Sequence, residues 1–213
     1  MTVDERFATI ARSFGNANRV KILWLLVQAE HSVDALTAKT DISFANVSQH
    51  LQTMRSNGLV ESRRDRNRVI YKISDQSVID MLVATQNVAR VHFADVNAKV
   101  YTDDAGMPIQ TIHPQEAWDW LRGDEAVIID ARPLEEFDSG HIPGALSLPS
   151  ERASAQDIER LRLQEPLIVY GRHAFCPLPD RIIELLKQQE WNPYRLEGGI
   201  PEWLYGGWPV ARK

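Results

Sequence analysis

The sequence predicts two domains: a mainly α N-terminal domain arranged as a helix-turn-helix with a hairpin wing, and a C-terminal α/β domain whose small parallel sheet is flanked by helices. Three observations carry that expectation. Apolar residues recur at helical spacing from Phe7 to about Ala29. Two alternating, arginine-rich runs joined by Asp65-Arg66-Asn67 follow at 59–74. Two short apolar runs, AVIIDAR (126–132) and PLIVYG (166–171), sit between helical patterns, as parallel strands buried on both faces do.

Taken in order, Phe7, Ile10, Ala11 and Phe14 form one helical stripe, and Val20, Ile22, Leu23, Leu25 and Leu26 form the next. Gly15 and Asn16 separate them. Ser32 is placed to cap a short helix through Lys39. A turn at Asp41–Ser43 leads into FANVSQHLQTMRSN, which Gly58 ends. LVESRR and RVIYKIS then read as two strands. Ser74 or Asp75 caps a long helix whose stripe is Val78, Met81, Leu82, Thr85, Ala89, His92, Phe93 and Val96. Over more than five turns such a stripe needs a partner, either a second copy of the chain or its own domain. TDDAGMPIQTIHP loses periodicity. The division is therefore 1–101 for the first domain, 102–112 for a linker and 113–213 for the second. In the second, PQEAWDWLRG, DIERLRL and RIIELLKQQEW are helical and bracket the two buried strands.

The 213 residues are 44% hydrophobic and 25% charged, the composition of a chain that buries a real core. No run approaches the roughly 18 apolar residues of a membrane span, and acids stand early in MTVDERFATIARSFG, so neither a membrane partner nor export is expected. One cysteine makes no internal disulfide and no multi-thiolate metal site, which points to the cytoplasm. The net charge of −5 is uneven. Residues 1–100 hold thirteen Lys/Arg against ten Asp/Glu, a net of +3, and residues 101–213 hold eleven against nineteen, a net of −8. The first half is the one suited to an anionic partner.

Ser43, Asn46, Ser48, Gln49 and His50 lie toward the exposed N-terminal half of the second helix of the pair, while Val47, Leu51 and Met54 face inward. Side chains of those types bond base edges in a major groove, which admits one helix. Arg63, Arg64, Arg66 and Arg68 on the hairpin suit phosphates or a minor groove. NRVKILWLL followed by VSQHLQTMRSNGLVESRRDRNRVIYKI resembles the ArsR/SmtB family of winged-helix repressors over about residues 5–98. The resemblance implies a homodimer on double-stranded operator DNA, released when an inducer binds. Ser43, Asn46, Ser48, Gln49 and His50 would face bases, with Arg63, Arg64, Arg66 and Arg68 as the wing. The family's inducer sites do not carry over. EHSVDAL has no thiol where arsenic and cadmium sensors have C-x-C, and His31 and Asp34 are isolated. The last helix offers Asp80, His92 and Asp95, of which His92 and Asp95, three apart, could share a metal across a dimer. A solvated or dimer-seam histidine is the plainer reading, and no metal or cofactor is expected.

VIIDARPLEEFDSGHIPGALSLP (127–149) and LEGGIPEWLYGGWPV (196–210) resemble the rhodanese domain over about residues 110–211. The resemblance implies mainly structural roles for Asp130, Arg132, Glu136 and His141. It also places a reactive loop after the central strand, opened by a cysteine that carries sulfur as a persulfide. Here the loop reads Gly171, Arg172, His173, Ala174, Phe175, Cys176. Glycine has no atom that attacks sulfur, so ordinary turnover is expected to be absent. Cys176 is the candidate thiol. Pro177 at the first helical position would make it a helix cap, with thiolate character gained there, against burial as an inert cysteine. Two expectations follow. One is a repressor whose rhodanese-like domain is a sensor, with the Gly171 position open to a small anionic or sulfur effector held by Arg172, His173 and loop amides. The other is a persulfide switch or sulfurtransferase working through Cys176.

Overall fold

A capping box in which Thr2 and Glu5 exchange backbone bonds starts helix α1 (Val3–Phe14), and Gly15 ends it. Asn16 opens α2 (Ala17–Gln28) by accepting the Arg19 N–H at 3.1 Å. Ser32, in the two-residue strand β1 (His31–Ser32), caps α3 (Val33–Lys39). Ser43 caps α4 (Phe44–Ser56). Gly58 then turns the chain at φ 75°, in the left-handed region glycine enters freely, into β2 (Val60–Asp65) and β3 (Arg68–Ile73). The computed structural model of the chain describes residues 2–102, 106–161 and 164–213. The antiparallel sheet has the order β1-β3-β2, with His31 opposite Tyr71 and Asp65 opposite Arg68. Ile22, Leu23, Leu36, Val47, Leu51 and Met54 have no exposed surface. At roughly 1.5–3 kcal/mol each, they are what holds three short helices together. This is a winged helix.

The sequence predicts one long helix after the wing, and the structure has two. Helix α5 (Gln76–His92) stops at Phe93, which leaves helical geometry at φ −123°, ψ 105°, and α6 (Ala94–Tyr101) begins. Arg90 bridges the break, its Nε 3.4 Å from Asn97 Oδ1 and its Nη2 3.3 Å from the Tyr101 hydroxyl. The stripe differs as well. Val78 and Leu82 are buried, but Thr85, His92 and Phe93 are exposed, and the second half of α5 buries Val83 and Gln86 instead. The compact units are Met1–Leu82 and Val83–Lys213, so α5 changes the face it buries where it passes from one to the other.

In the second unit β4 (Thr111–Ile112), at the end of the segment read as linker, precedes α7 (Pro114–Arg122). Residues 103–105 of that segment lie outside the described residues. There follow β5 (Val127–Asp130), α8 (Leu134–Ser139), β6 (Leu146–Ser147), α9 (Ala155–Arg160), β7 (Leu167–Gly171), α10 (Leu178–Lys187), β8 (Tyr194–Gly199) and α11 (Ile200–Tyr205). The end of the expected DIERLRL helix, residues 162–163, is also outside the described residues. The sheet is parallel throughout, in the order β4-β8-β7-β5-β6. Alternation along its central strands feeds two cores. Ile129, Val169, Ile182 and Leu186 fill one face, and Ile128, Ile168, Tyr170 and Trp203 fill the other. Both faces are covered, as all-apolar strand runs require.

Candidate nucleic-acid interface and candidate reactive loop

Helix α4 turns Val47, Leu51 and Met54 into the core, which by helical period leaves Asn46 and Gln49 exposed and Ser48 and His50 half-buried. Ser43 accepts the Asn46 N–H, so its hydroxyl already serves the helix start. Burial and the charge of Arg19 push the His50 ring below its usual range. Phe44, 53% exposed at the tip of the same helix, joins this face, and the sequence reading passed over it because apolar residues are ordinarily inward. The wing arginines divide into two kinds. Arg63 donates to Glu30 Oε2 from Nε at 3.1 Å and from Nη2 at 2.8 Å, and is held back along β2. Arg64, Arg66 and Arg68 are exposed and make no ion pair among the described residues. Arg66 turns the hairpin at φ 54°.

The loop between β7 and α10 is not open at its first position. A Cβ placed on Gly171 would lie 2.9 Å from Cys176 Sγ, 2.9 Å from Pro179 Cδ and 3.1 Å from Cys176 Cβ. The effector site expected at Gly171 is therefore corrected: the cysteine side chain already fills that volume. Nor are the expected anion ligands free. The Arg172 guanidinium makes three contacts of 2.6–2.9 Å with the fully buried Glu136 carboxylate. His173 Nδ1 accepts the Phe175 N–H at 3.2 Å, and burial beside Arg172 and Arg195 lowers its pKa to about 4. The Cys176 N–H goes to the His173 carbonyl, and the Ala174 N–H goes to Glu202 Oε1 at 3.1 Å.

Two residues missing from the sequence reading hold this loop. Glu202 brings its own carboxylate to the loop amides, also accepting the Gly199 N–H at 2.8 Å and Gln86 Nε2 at 2.8 Å. Arg195, 3% exposed, donates to the Cys176 carbonyl at 2.6 Å and to Asp180 Oδ1 at 2.9 Å. A glutamate three residues past Gly199 carries the local signal of a helix start. Its reach to Ala174, 28 residues back, has no local signature. Around the sheet end, Arg132 pairs with Asp130 at 2.6 Å with both wholly buried, and also donates to the Gly140 carbonyl. The Tyr170 hydroxyl donates to Asp130, and His141 lies stacked on Phe137. The buried Asp130, Arg132 and Glu136 thereby each have a charged partner.

Residues 16–62 match the bacterial regulatory protein, arsR family, and residues 113–205 match the rhodanese-like domain. The HTH-type transcriptional regulator Rv0324 of Mycobacterium tuberculosis is 32% identical over 206 residues, spanning 97% of this chain and 90% of that protein. The chain belongs to the ArsR family of transcriptional regulators, in the form that carries a rhodanese-like domain. The HTH-type transcriptional regulator YgaV of Escherichia coli is 33% identical over 85 residues, 39% of this chain and 86% of its own length. A solution structure of the homodimeric winged helix-turn-helix DNA-binding domain of Mb0332 from Mycobacterium bovis is 34% identical, covers 42% of this chain and 82% of that one, and aligns with a TM-score of 0.40.

In the loop, Gly171 stands where the rhodanese resemblance expects the nucleophile, while Arg172 and Cys176 are kept. The expected cap at Cys176 is also corrected. Helix α10 starts at Leu178 with Pro177 in the cap position and Pro179 second, and the Cys176 thiol is turned inward onto Gly171. Cys176 is 2% exposed. Burial pushes its thiol up, and the Arg172 and Leu178 backbone N–H groups offset only part of that. His92 and Asp95 fall on either side of the break at Phe93. Among the described residues no three His, Cys, Asp or Glu gather as metal ligands, and no helix is long and apolar enough to cross a membrane.

Proposed function

We propose that this ArsR-family regulator is a repressor that binds double-stranded operator DNA as a homodimer in the cytoplasm. Helix α4 would be in the major groove, the wing on the phosphates, and the rhodanese-like domain would serve as a non-catalytic sensor. The observation that carries the DNA reading is the pairing of exposed Asn46 and Gln49 on α4 with Arg64, Arg66 and Arg68, three wing cations with no ion pair among the described residues. Side-chain amides read adenine edges, and uncommitted arginines neutralise phosphates. Ser43, Ser48 and His50 flank the same face and would contact bases or sugar, whereas Arg63 is the weakest member of the set because Glu30 already holds it. For the second domain the support is chemical. Position 171 has no nucleophile, and the thiol that fills its place is buried and shifted away from the thiolate. The persulfide switch at Cys176 would need that thiol exposed.

A gel shift on the DNA upstream of the chain's own gene, across a salt series, tests the DNA reading. The Arg64→Ala plus Arg66→Ala variant is expected to bind more weakly and to lose about one unit of log–log salt slope per charge removed, so about four for a dimer. Unchanged affinity and slope would overturn it.

A further inference from the structure

A cavity of about 300 Å³ lies in the second unit, beside the filled loop and unused by the DNA-reading role. Asn87 and Arg90 on α5 line one side. Glu197 on β8 and Glu202 on α11 line another, with Tyr205 and Trp208 completing the wall. Pockets of this size stand at the small end of those that take organic ligands, with room for about ten non-hydrogen atoms.

The charges in it decide what fits. Glu202 is 9% exposed and accepts the Gln86, Ala174 and Gly199 donors, while Glu197 is half-buried, accepts the Thr111 hydroxyl at 2.9 Å and pairs with Arg90. Arg90 is already shared among Glu197 at 3.7 Å, Asn97 and the Tyr101 hydroxyl. Among the acid and guanidinium groups of the wall, on which the His113 ring also lies, two carboxylates stand against one committed guanidinium in a partly desolvated space. An entering carboxylate or phosphate would meet Glu197 and Glu202 and would have to compete for Arg90. An entering cation would gain a charge-assisted hydrogen bond, and Tyr205 and Trp208 on the wall give its apolar part aromatic surface to lie against. Burial pushes the Glu202 carboxyl up, a penalty that a neighbouring cation would relieve.

We propose that this cavity binds a small organic cation, a primary ammonium or guanidinium on a short apolar body, held by Glu197 and Glu202 with Trp208 against the apolar part. The site rests on the second unit alone and does not depend on the DNA reading. Its roof is α5, the helix that runs from Gln76 in the first unit to His92 in the second.

Titration calorimetry on the full chain with 2-phenylethylamine and agmatine, against 2-phenylethanol and 3-phenylpropanoate, tests it. At least one of the two cations is expected to bind and the alcohol and carboxylate are not. Glu197→Gln should weaken the cation on the order of ten- to a hundredfold. Asn87→Trp, on the exposed part of the α5 wall, should block the cation without removing a charge and serves where the glutamine variant does not fold. Binding of neither cation, equal or tighter binding of the carboxylate, or cation binding unmoved by these substitutions would overturn the proposal. A gel shift on the same preparation separates the two readings. DNA bound without any cation bound sinks only the cavity site, and a cation bound without DNA sinks only the DNA reading.

Discussion

Gly171 and Cys176 occupy one volume between them. A side chain cannot be added at 171 without displacing Sγ and Pro179, since both contacts fall at 2.9 Å from the new Cβ. Restoring the absent nucleophile by Gly171→Cys is therefore expected to destabilise the second domain by about 1–3 kcal/mol in urea melts. Neither that variant nor the native chain should convert thiosulfate and cyanide to thiocyanate. Steady thiocyanate production by the native chain would show that Cys176 reaches substrate after all. His173 adds a pH dependence. Its pKa falls from 6.5 to about 4 on folding, so the unfolded chain binds more protons between those values. The resulting stabilisation is complete above pH 6.5 and is lost as pH falls toward 4. Because the ring is partly exposed, the effect is on the order of 1–2 kcal/mol. His173→Asn keeps an acceptor for the Phe175 N–H without a titrating ring, and should narrow the difference in stability between pH 7 and pH 5.

At the scale of elements, α4 and the hairpin are set by sequence spacing. Val47, Leu51 and Met54 fix which side of α4 is inward, and the rest of the helix surface follows. Asn46→Ala with Gln49→Ala should leave the fold intact and reduce the preference for operator over random DNA by about 1–3 kcal/mol for each amide–adenine pair removed. Competition gel shifts read this directly, and an equal loss on both DNAs would mean that these amides touch only the backbone. α5 and α6 behave differently. The apolar stripe is continuous through Val96, yet the chain leaves the helix at Phe93, because Val100 gains a buried place and Arg90 bridges to Asn97 and Tyr101 when α6 turns back. Periodicity describes which residues are apolar and is silent on where they are buried.

At the scale of the whole molecule, the proposed homodimer makes its own demand. Phe7 on α1 is 69% exposed, a large apolar side chain that the proposed interface would cover. Phe7→Glu is expected to shift the sedimenting species from dimer to monomer and to weaken operator binding. A variant that stays dimeric and binds normally would remove α1 from the interface.

What could be read directly from the sequence was local. Asn16, Ser32 and Gly58 each mark an element end within a few residues of themselves, so the helices and hairpin of the first unit followed, as did β5 and β7 from their apolar runs. The two-residue strands β1, β4 and β6, and β8 with its Arg195 and Glu197, were not legible. Such strands are defined by their neighbours' hydrogen bonds and carry no pattern of their own. The absence of an attacking atom at position 171 was likewise plain from the residues. Only the tertiary structure decided that Cys176 and Pro179 fill the space there, that Glu202 serves the loop amides, and that Arg63 belongs to Glu30. The Glu202–Ala174 and Arg63–Glu30 contacts join residues 28 and 33 positions apart, brought together by sheet order and packing, and the filled space at 171 comes from the loop folding back on its own first residue.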